Sequence, residues 1–188
     1  MAGTDGRSTA GLVLAAGEGR RFGGPKQLAE LGGRPLIEHA LAALAELERV
    51  VVVLGARAEE IRAGADLGRA EVIVCGDWSD GMSASLRSGL DALAEAAEVV
   101  IVLADQPFIT AAVVERVRAA AGPAARAVYG GEPGHPVVIR RPLLGRAGEL
   151  TGDAGFRDLL GGVAEVECSD LADPRDIDTR DDLEVVRP

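Results

Sequence analysis

The chain has few aromatic residues, few cysteines and a single lysine. Aromatics make up 3% of its 188 residues, so a buried core has to be built from Val, Leu, Ile and Ala, the usual filling of a parallel sheet covered by helices. Cys75 and Cys168 stand far apart in the sequence. This spacing argues against a disulfide framework or a metal site, and we expect both to be small buried apolar side chains. Lys26 is the only lysine; the other basic residues are arginines.

Long hydrophobic runs and a positive net charge are also missing. No apolar run approaches the roughly 20 residues that span a bilayer, so we expect no membrane association. The first nine residues, "MAGTDGRST", are small and polar and do not follow a signal-peptide pattern. We expect a disordered tail over 1–9, one domain over 10–188 and a cytoplasmic protein. The net charge of −10 argues against a nucleic-acid partner but leaves room for a small anionic ligand.

Short apolar runs alternate with helical patterns along most of the chain. The runs over 10–16, 49–54 and 98–104 are typical of buried strands, and the apolar spacing over 34–47 predicts a helix. Such alternation predicts an α/β fold, a single three-layer α/β/α domain around a mostly parallel, Rossmann-like sheet. Hairpin-like segments after residue 121 predict a small antiparallel addition.

A glycine-rich, basic loop follows the first predicted strand, in "LAAGEGRRFGGPKQL". Ligands bind beyond the carboxyl ends of strands in such sheets, and glycines let the backbone approach phosphates. Arg20 and Lys26 supply positive charge, and we expect the loop to be exposed. A dinucleotide fingerprint would need a glycine three residues after Gly19 that opens directly into a helix, and a P-loop would need Ser or Thr after Lys26. The loop is therefore a different phosphate motif, or else a basic surface loop.

Two acidic segments are candidates for metal binding. Asp105 follows the most hydrophobic strand, in "LADQP", where its carboxylate suits Mg²⁺; the alternative is a turn Asp before Pro. In "DIDTRDDL" the alternation places Asp176 and Asp178 on one face, and Thr179 is a candidate cap of the last helix. A solvated charged face is the alternative for this segment, and it is our interpretation of Asp173, Asp181 and Asp182.

Two further segments carry polar side chains. "GMSASLRSGL" is typical of a helix start, whose N–H groups suit an anion or a base edge, although Ser83 or Ser85 as ordinary caps would explain the pattern as well. His39 lies in the predicted helix, where we expect a structural role. A lone histidine such as His135 is most often a satisfied polar residue.

Taken in order, these segments resemble the signature of nucleotidyltransferases that activate sugars, alcohols and cofactors, and most closely the molybdenum cofactor cytidylyltransferases. The similarity runs from residue 11 to residue 186. The related guanylyltransferases carry Gly where this chain has Ala16 and often Asp where it has Pro25. The chain departs from the family pattern at Arg180 and Asp181, which replace Pro and Glu, and at Phe156, where small residues are common.

The resemblance implies a role for each matching residue. Arg20, Lys26 and Asp105 would be catalytic, and Asp105 and Asp178 would hold Mg²⁺. The implied nucleotide-binding residues are Leu14, Ala15, Ala16, Gly17, Gly19, Lys26 and Ser85. The "GHP" and "TGDAGFR" segments resemble acceptor-facing motifs, which implies acceptor binding by His135, Asp153 and Arg157.

The implied reaction is transfer of CMP from CTP to the phosphate of a molybdopterin acceptor, with release of pyrophosphate. An ionised phosphate needs no strong general base, so catalysis would rest on positioning and charge stabilisation. Three alternatives stay open: a guanylyltransferase on the same acceptor, a transferase acting on a sugar phosphate or phospholactate, and a non-catalytic nucleotide-binding factor that matures a molybdoenzyme. A client molybdoenzyme would then be a further partner.

Overall fold

The computed structural model describes residues 8–149 and 163–187, arranged around a seven-stranded sheet of order β5-β4-β1-β6-β8-β7-β9. The strands are β1 (Thr9–Ala15), β4 (Arg49–Leu54), β5 (Glu71–Val74), β6 (Glu98–Leu103), β7 (Ala124–Tyr129), β8 (Glu132–Arg140) and β9 (Ala164–Glu167). β5, β4, β1 and β6 are parallel, β8 runs antiparallel between β6 and β7, and β9 is parallel to β7. The mostly parallel sheet with an antiparallel addition is confirmed.

Helices cover both faces of the sheet, as predicted. They are α1 (Leu36–Ala43), α2 (Ala58–Gly64), α3 (Met82–Ala92), α4 (Ala111–Arg118) and α5 (Arg180–Val186), with 3-10 turns at Lys26–Leu28, Trp78–Asp80 and Leu143–Glu149. Buried side chains of α1, α2 and α4 pack on one face, and α3 and the last 3-10 turn pack on the other. Both layers are aliphatic, and Cys75 and Cys168 are buried in them as expected.

Several boundaries differ from the prediction. β1 begins at Thr9, whose backbone pairs with Glu98, and the carbonyl of Ser8 accepts hydrogen bonds from Ala97 and Glu98. Ser8 and Thr9 therefore belong to the fold and not to the tail predicted over 1–9. The predicted helix over 34–47 is shorter at both ends: Arg34–Pro35 forms β3 and pairs with β2 (Glu30–Leu31), and α1 ends at Ala43. His39 of α1 lies 3.1 Å from the Leu31 carbonyl, a structural contact.

The amino end of β6 is held by an ionic cluster around Glu98. Its carboxylate accepts hydrogen bonds from Arg118 Nε at 2.8 Å, Arg140 Nε at 2.7 Å and the Thr9 hydroxyl at 3.1 Å. Burial alone would raise the pKa of Glu98, but the hydrogen bond from Arg118 and the charge of Arg140 outweigh it and lower that pKa. The cluster joins α4, β8 and β1 at the amino ends of β1 and β6, which is the end of the sheet opposite to the candidate site.

No helix within residues 8–149 and 163–187 has the length and apolar character needed to cross a membrane. The helix predicted near "GFRDLL" lies outside the described residues.

Candidate active site

A cavity of about 620 Å³ lies beyond the carboxyl ends of the parallel strands. This volume is within the range of small-molecule sites, roughly 300–1,000 Å³. The segment after β1, the end of β6, the turn before α3 and a C-terminal acidic segment line it. The lining includes the predicted residues Leu14, Ala15, Ala16, Gly17, Gly19, Arg20, Lys26, Ser85, Asp105 and Asp178. These residues thus lie together at the carboxyl ends of the parallel strands, and their functional roles stay predictions.

The glycine loop, residues 17–26, contains a tight turn that is hydrogen-bonded to the carbonyl of Gly19. The Gly19 carbonyl accepts hydrogen bonds from Gly23 N at 3.0 Å and Gly24 N at 3.2 Å. Gly19 has a φ of +71°, and a Cβ there would lie 1.9 Å from the Gly24 carbonyl oxygen, so only glycine fits. The result is a compact turn with its backbone beside the cavity.

The buried Gln27 anchors this loop to the end of β1. Its side-chain amide donates to the carbonyl of Ala15 at 2.8 Å and to that of Gly17 at 2.9 Å. Only 2% of Gln27 is exposed, and burial away from water makes such hydrogen bonds costly to lose. Gln27 therefore holds the backbone at the entrance of the loop, a role that the sequence analysis did not assign.

The lone lysine lies between two carboxylates. Lys26 Nζ donates to Asp105 Oδ2 at 2.5 Å and to Asp178 Oδ1 at 2.7 Å, and its side chain is only 15% exposed. Burial would lower the pKa of Lys26, but the charges of Asp105 and Asp178 and the hydrogen bonds to them outweigh it and raise the pKa. The loop was expected to be exposed, and it is exposed at Gly17, Arg20, Arg21 and Gly23. Lys26 is the exception, because Asp105 and Asp178 lie against its ammonium.

Asp105 and Asp178, the carboxylate pair, come together through contacts that only the folded chain makes. Ile177 N donates to the Asp105 carbonyl at 2.9 Å, and the Ile177 side chain is fully buried. The buried Gln106 donates to Asp176 Oδ1 at 2.8 Å. These contacts fix the C-terminal segment across the end of β6, so that Asp178 faces Asp105.

The backbone of Asp178 is held by the cap of α5. Thr179 and Asp182 form a reciprocal capping box, as the Thr179 prediction implies, and Asp182 Oδ2 also accepts from Asp178 N at 3.0 Å. Hydrogen bonds from Thr179 and Asp178 lower the pKa of Asp182. Interpreting Asp182 as a merely solvated charge is therefore wrong, since its carboxylate accepts three hydrogen bonds, one from Asp178 N and two from Thr179.

The carboxylate pair fits a divalent cation. One ammonium reaches both carboxylates, so the two oxygens lie within about 5 Å of each other, and hard oxygens of one or two carboxylates, completed by phosphates and water, are the usual Mg²⁺ ligands. No group of three or more His, Cys, Asp or Glu arranged for a metal occurs in the described part of the chain. The pKa of the neighbouring Asp176 is raised, mainly because this carboxyl group is buried and also because Asp105 and Asp178 carry negative charges nearby.

Two adjacent arginines of the loop have different partners. Arg20 Nε contacts Glu18 Oε2 at 2.5 Å, whereas Arg21 Nη2 contacts Asp178 Oδ2 at 2.8 Å. Both line the cavity, but only Arg21 is tied to the carboxylate pair. The sequence analysis named Arg20. The spacing of the nucleotidyltransferase signature, with its arginine four residues after the glycine of Leu-Ala-Ala-Gly, falls on Arg21 and is the signal that would have identified it.

We expect Arg21→Ala to lower turnover by about tenfold, the loss expected when one charge-assisted hydrogen bond to a phosphate oxygen is removed. Arg20→Ala is the matched control and is expected to cause a smaller loss, because Glu18 already engages the guanidinium. Steady-state kinetics with varied triphosphate and fixed acceptor measures both. A larger loss in Arg20→Ala would favour the assignment made from the sequence.

The start of α3 forms another wall of the cavity. Ser85, proposed from the sequence as a base contact, is 5% exposed and lines the cavity with Gly81 and Met82. Trp78, in the preceding 3-10 turn, lines it too. The sequence analysis overlooked Trp78, although its being the only tryptophan in the chain could have drawn attention to it.

The predicted acceptor residues are only partly described. His135 lies in β8, outside the lining of the cavity, and the charge of Asp105 acts on it. Burial lowers the pKa of His135 to about 4, against the opposing effect of Asp105, so the imidazole is neutral near pH 7. Asp153 and Arg157 lie outside the described residues, and their acceptor role stays a prediction.

Residues 11–168 match the model of the MobA-like NTP transferase domain. The chain belongs to this family. The resemblance stated from the sequence is thereby confirmed at the level of the family, and the sheet with its strand-end cavity is the scaffold on which this member of the MobA-like family carries its site.

Relatives cover almost the whole chain. It is 35% identical to the nicotine blue oxidoreductase of Paenarthrobacter nicotinovorans, over 95% of this chain and 96% of that protein. The crystal structure of Rv0371c from Mycobacterium tuberculosis H37Rv has a TM-score of 0.85 at 30% identity, covering 97% of this chain and 98% of that one. Rv0371c in complex with manganese has a TM-score of 0.79 at 29% identity, over 95% and 97% of the two chains.

Proposed function

We propose that this MobA-like protein transfers CMP from CTP to the terminal phosphate of a molybdopterin-type acceptor. The observation that carries the proposal is the cavity in which a glycine loop faces a carboxylate pair joined by Lys26. Anionic phosphates require backbone N–H groups and cations, and a divalent metal requires carboxylates. Both sets of groups line this one cavity.

In the proposed reaction, an acceptor phosphate oxygen forms a bond to the α-phosphorus of CTP. The bond from that phosphorus to the oxygen bridging to the β-phosphate breaks, and pyrophosphate leaves with the electron pair. Because the attacking phosphate is already ionised, no proton has to be removed. We therefore assign no general base, and His135 lies outside the lining of the cavity.

Different residues of the cavity would have different roles in this reaction. The loop backbone at Gly17 and Gly19, with Arg20 and Arg21, would hold the triphosphate. The carboxylate pair would hold Mg²⁺, which when bound neutralises phosphate charge and favours in-line geometry. Lys26 bridges the carboxylates in the absence of metal; with Mg²⁺ on the pair, it would exchange at least one of these contacts for a phosphate oxygen and stabilise the charge on the departing pyrophosphate. Manganese in the structure of the related Rv0371c supports a divalent cation here.

The preference for CTP is supported by Ala16 and by the Pro25-Lys26-Gln27 segment, which resemble the cytidylyltransferases rather than the guanylyltransferases. We expect pyrophosphate release from CTP in the presence of molybdopterin and Mg²⁺, with less from GTP, ATP and UTP, and a product whose mass is that of the cytosine dinucleotide. A clear preference for GTP would overturn the cytidylyl assignment. Mg²⁺-dependent CTP binding without turnover would favour the nucleotide-binding maturation factor.

A second candidate, an oxidoreductase, is favoured by one observation. The relative that is 35% identical over 95% of this chain is named for oxidation or reduction of nicotine blue. The glycines at 17, 19 and 23 do not have the spacing of a dinucleotide fingerprint, so transfer is the better-supported function. Oxidation of NADH or NADPH that depends on added nicotine blue, together with no pyrophosphate release, would reverse this order.

A further inference from the structure

The cavity has a charged end and an apolar end, and the strand order separates them. Gly17 follows β1 and Asp105 follows β6, so the loop and the carboxylate pair lie over the middle of the sheet. Gly55 follows β4 and Trp78 follows the edge strand β5, two strands to the other side of β1. The lining at this side is Trp78, Met82 and the Ser85 helix start.

Trp78 is held close to the loop by the absence of a side chain at Gly55. A Cβ at Gly55 would lie 2.6 Å from the Ala16 carbonyl oxygen and 2.8 Å from Trp78 Cβ. The turn carrying Trp78 and the segment after β1 therefore meet at Gly55 with no space between them. Trp78 itself is partly buried, packs against the core layer that contains Ala16, and lines the cavity.

We propose that Trp78, with Met82 beside it, is the surface on which the base of the nucleoside triphosphate packs. This rests on the proposed function, since it presumes such a ligand. A nucleobase has apolar faces and polar edges, and stacking on an aromatic side chain is insensitive to which base is present. With the phosphates at Lys26 and the loop, the base lies toward β4 and β5, where Trp78 is the aromatic side chain of the lining. Selection among bases would then fall to polar groups such as Ser85.

The chain offers a direct measurement, because Trp78 is its only tryptophan. We expect CTP to change the intrinsic tryptophan fluorescence of the protein with Mg²⁺ present. We further expect Trp78→Leu, which keeps apolar bulk but removes the ring, to raise the CTP dissociation constant measured by calorimetry by about 5- to 150-fold. Trp78→Phe is the matched control and should retain most of the affinity. Inorganic tripolyphosphate, which has no base, should bind all three proteins equally.

The outcomes separate this inference from the proposed function. Unchanged CTP affinity in Trp78→Leu would overturn the inference alone. An equal loss of affinity for CTP and for tripolyphosphate in Trp78→Leu would also overturn the inference, since Trp78 would then be positioning the phosphate loop. A variant whose only change is in the KM of the acceptor would overturn it as well. Thermal unfolding of each variant shows whether it is folded. If the unaltered protein binds no triphosphate, the proposed function fails and this inference fails with it.

Discussion

The Asp105→Asn protein is expected to lose its response to divalent cations and about a thousandfold in turnover, since a metal contributes several kcal/mol of charge stabilisation at a phosphoryl centre. Asparagine keeps the shape of the side chain but provides one neutral oxygen where Asp105 provides a carboxylate. The measurement independent of activity is the midpoint of thermal unfolding with and without Mn²⁺, because a cation that binds only the folded state raises that midpoint. Asp178→Asn should behave in the same way.

Asp181→Asn is the matched control for both variants. Asp181 is exposed, lies in the same acidic segment and is absent from the lining of the cavity, so we expect the Mn²⁺ response of this variant to equal that of the unaltered protein. A full Mn²⁺ response in Asp105→Asn and in Asp178→Asn would show that the carboxylate pair does not hold the metal.

Lys26→Met is expected to lower turnover by about 100- to 1,000-fold, the loss that follows removal of one donor to a developing oxyanion. The structure adds a second expectation. Without the ammonium, Asp105 and Asp178 face each other within about 5 Å in a partly buried site, and their repulsion should cost about 2 kcal/mol of folding free energy. Added Mg²⁺ should restore most of that stability, but not the turnover.

Lys26→Arg separates charge from shape. A guanidinium keeps the positive charge, but its planar fork is larger than a compact ammonium, which here contacts two carboxylates at 2.5 and 2.7 Å. We expect this variant to recover stability in the absence of Mg²⁺ and to remain low in turnover. Denaturant unfolding with a metal chelator, followed by kinetics, measures both. Turnover equal to that of the unaltered protein in either variant would contradict the role given to Lys26.

The local pattern of the sequence was sufficient to predict the main strands and the two carboxylates of the candidate site. β4 is the predicted strand over 49–54, because an uninterrupted apolar run suits a strand buried on both faces. Asp105 was identifiable because it follows the most hydrophobic strand. Asp178 was predicted from the alternation of acidic residues and from the resemblance to the nucleotidyltransferases. In the structure its carboxylate contacts the same lysine ammonium as that of Asp105.

Other features depended on which side chains meet across long stretches of sequence. Lys26 and Asp178 are separated by 152 positions, and nothing near Lys26 indicates that the C-terminal segment covers it. Gln27 and Gln106 are ordinary polar residues in the sequence, and burial makes them anchors of the loop and of the acidic segment. The contact between Arg21 and Asp178 likewise forms only in the folded chain, although the spacing of the family signature already distinguishes Arg21 from Arg20.

The α/β class, the family and the end of the sheet that holds the cavity could be predicted from the sequence alone, because strand and loop patterns are local and the carboxyl ends of parallel strands share one edge. Three contacts are seen only in the folded chain: Lys26 joins the carboxylate pair, Arg21 rather than Arg20 contacts Asp178, and Trp78 borders the same cavity. These are contacts between distant segments, set by the order of strands and by burial, which no local pattern encodes.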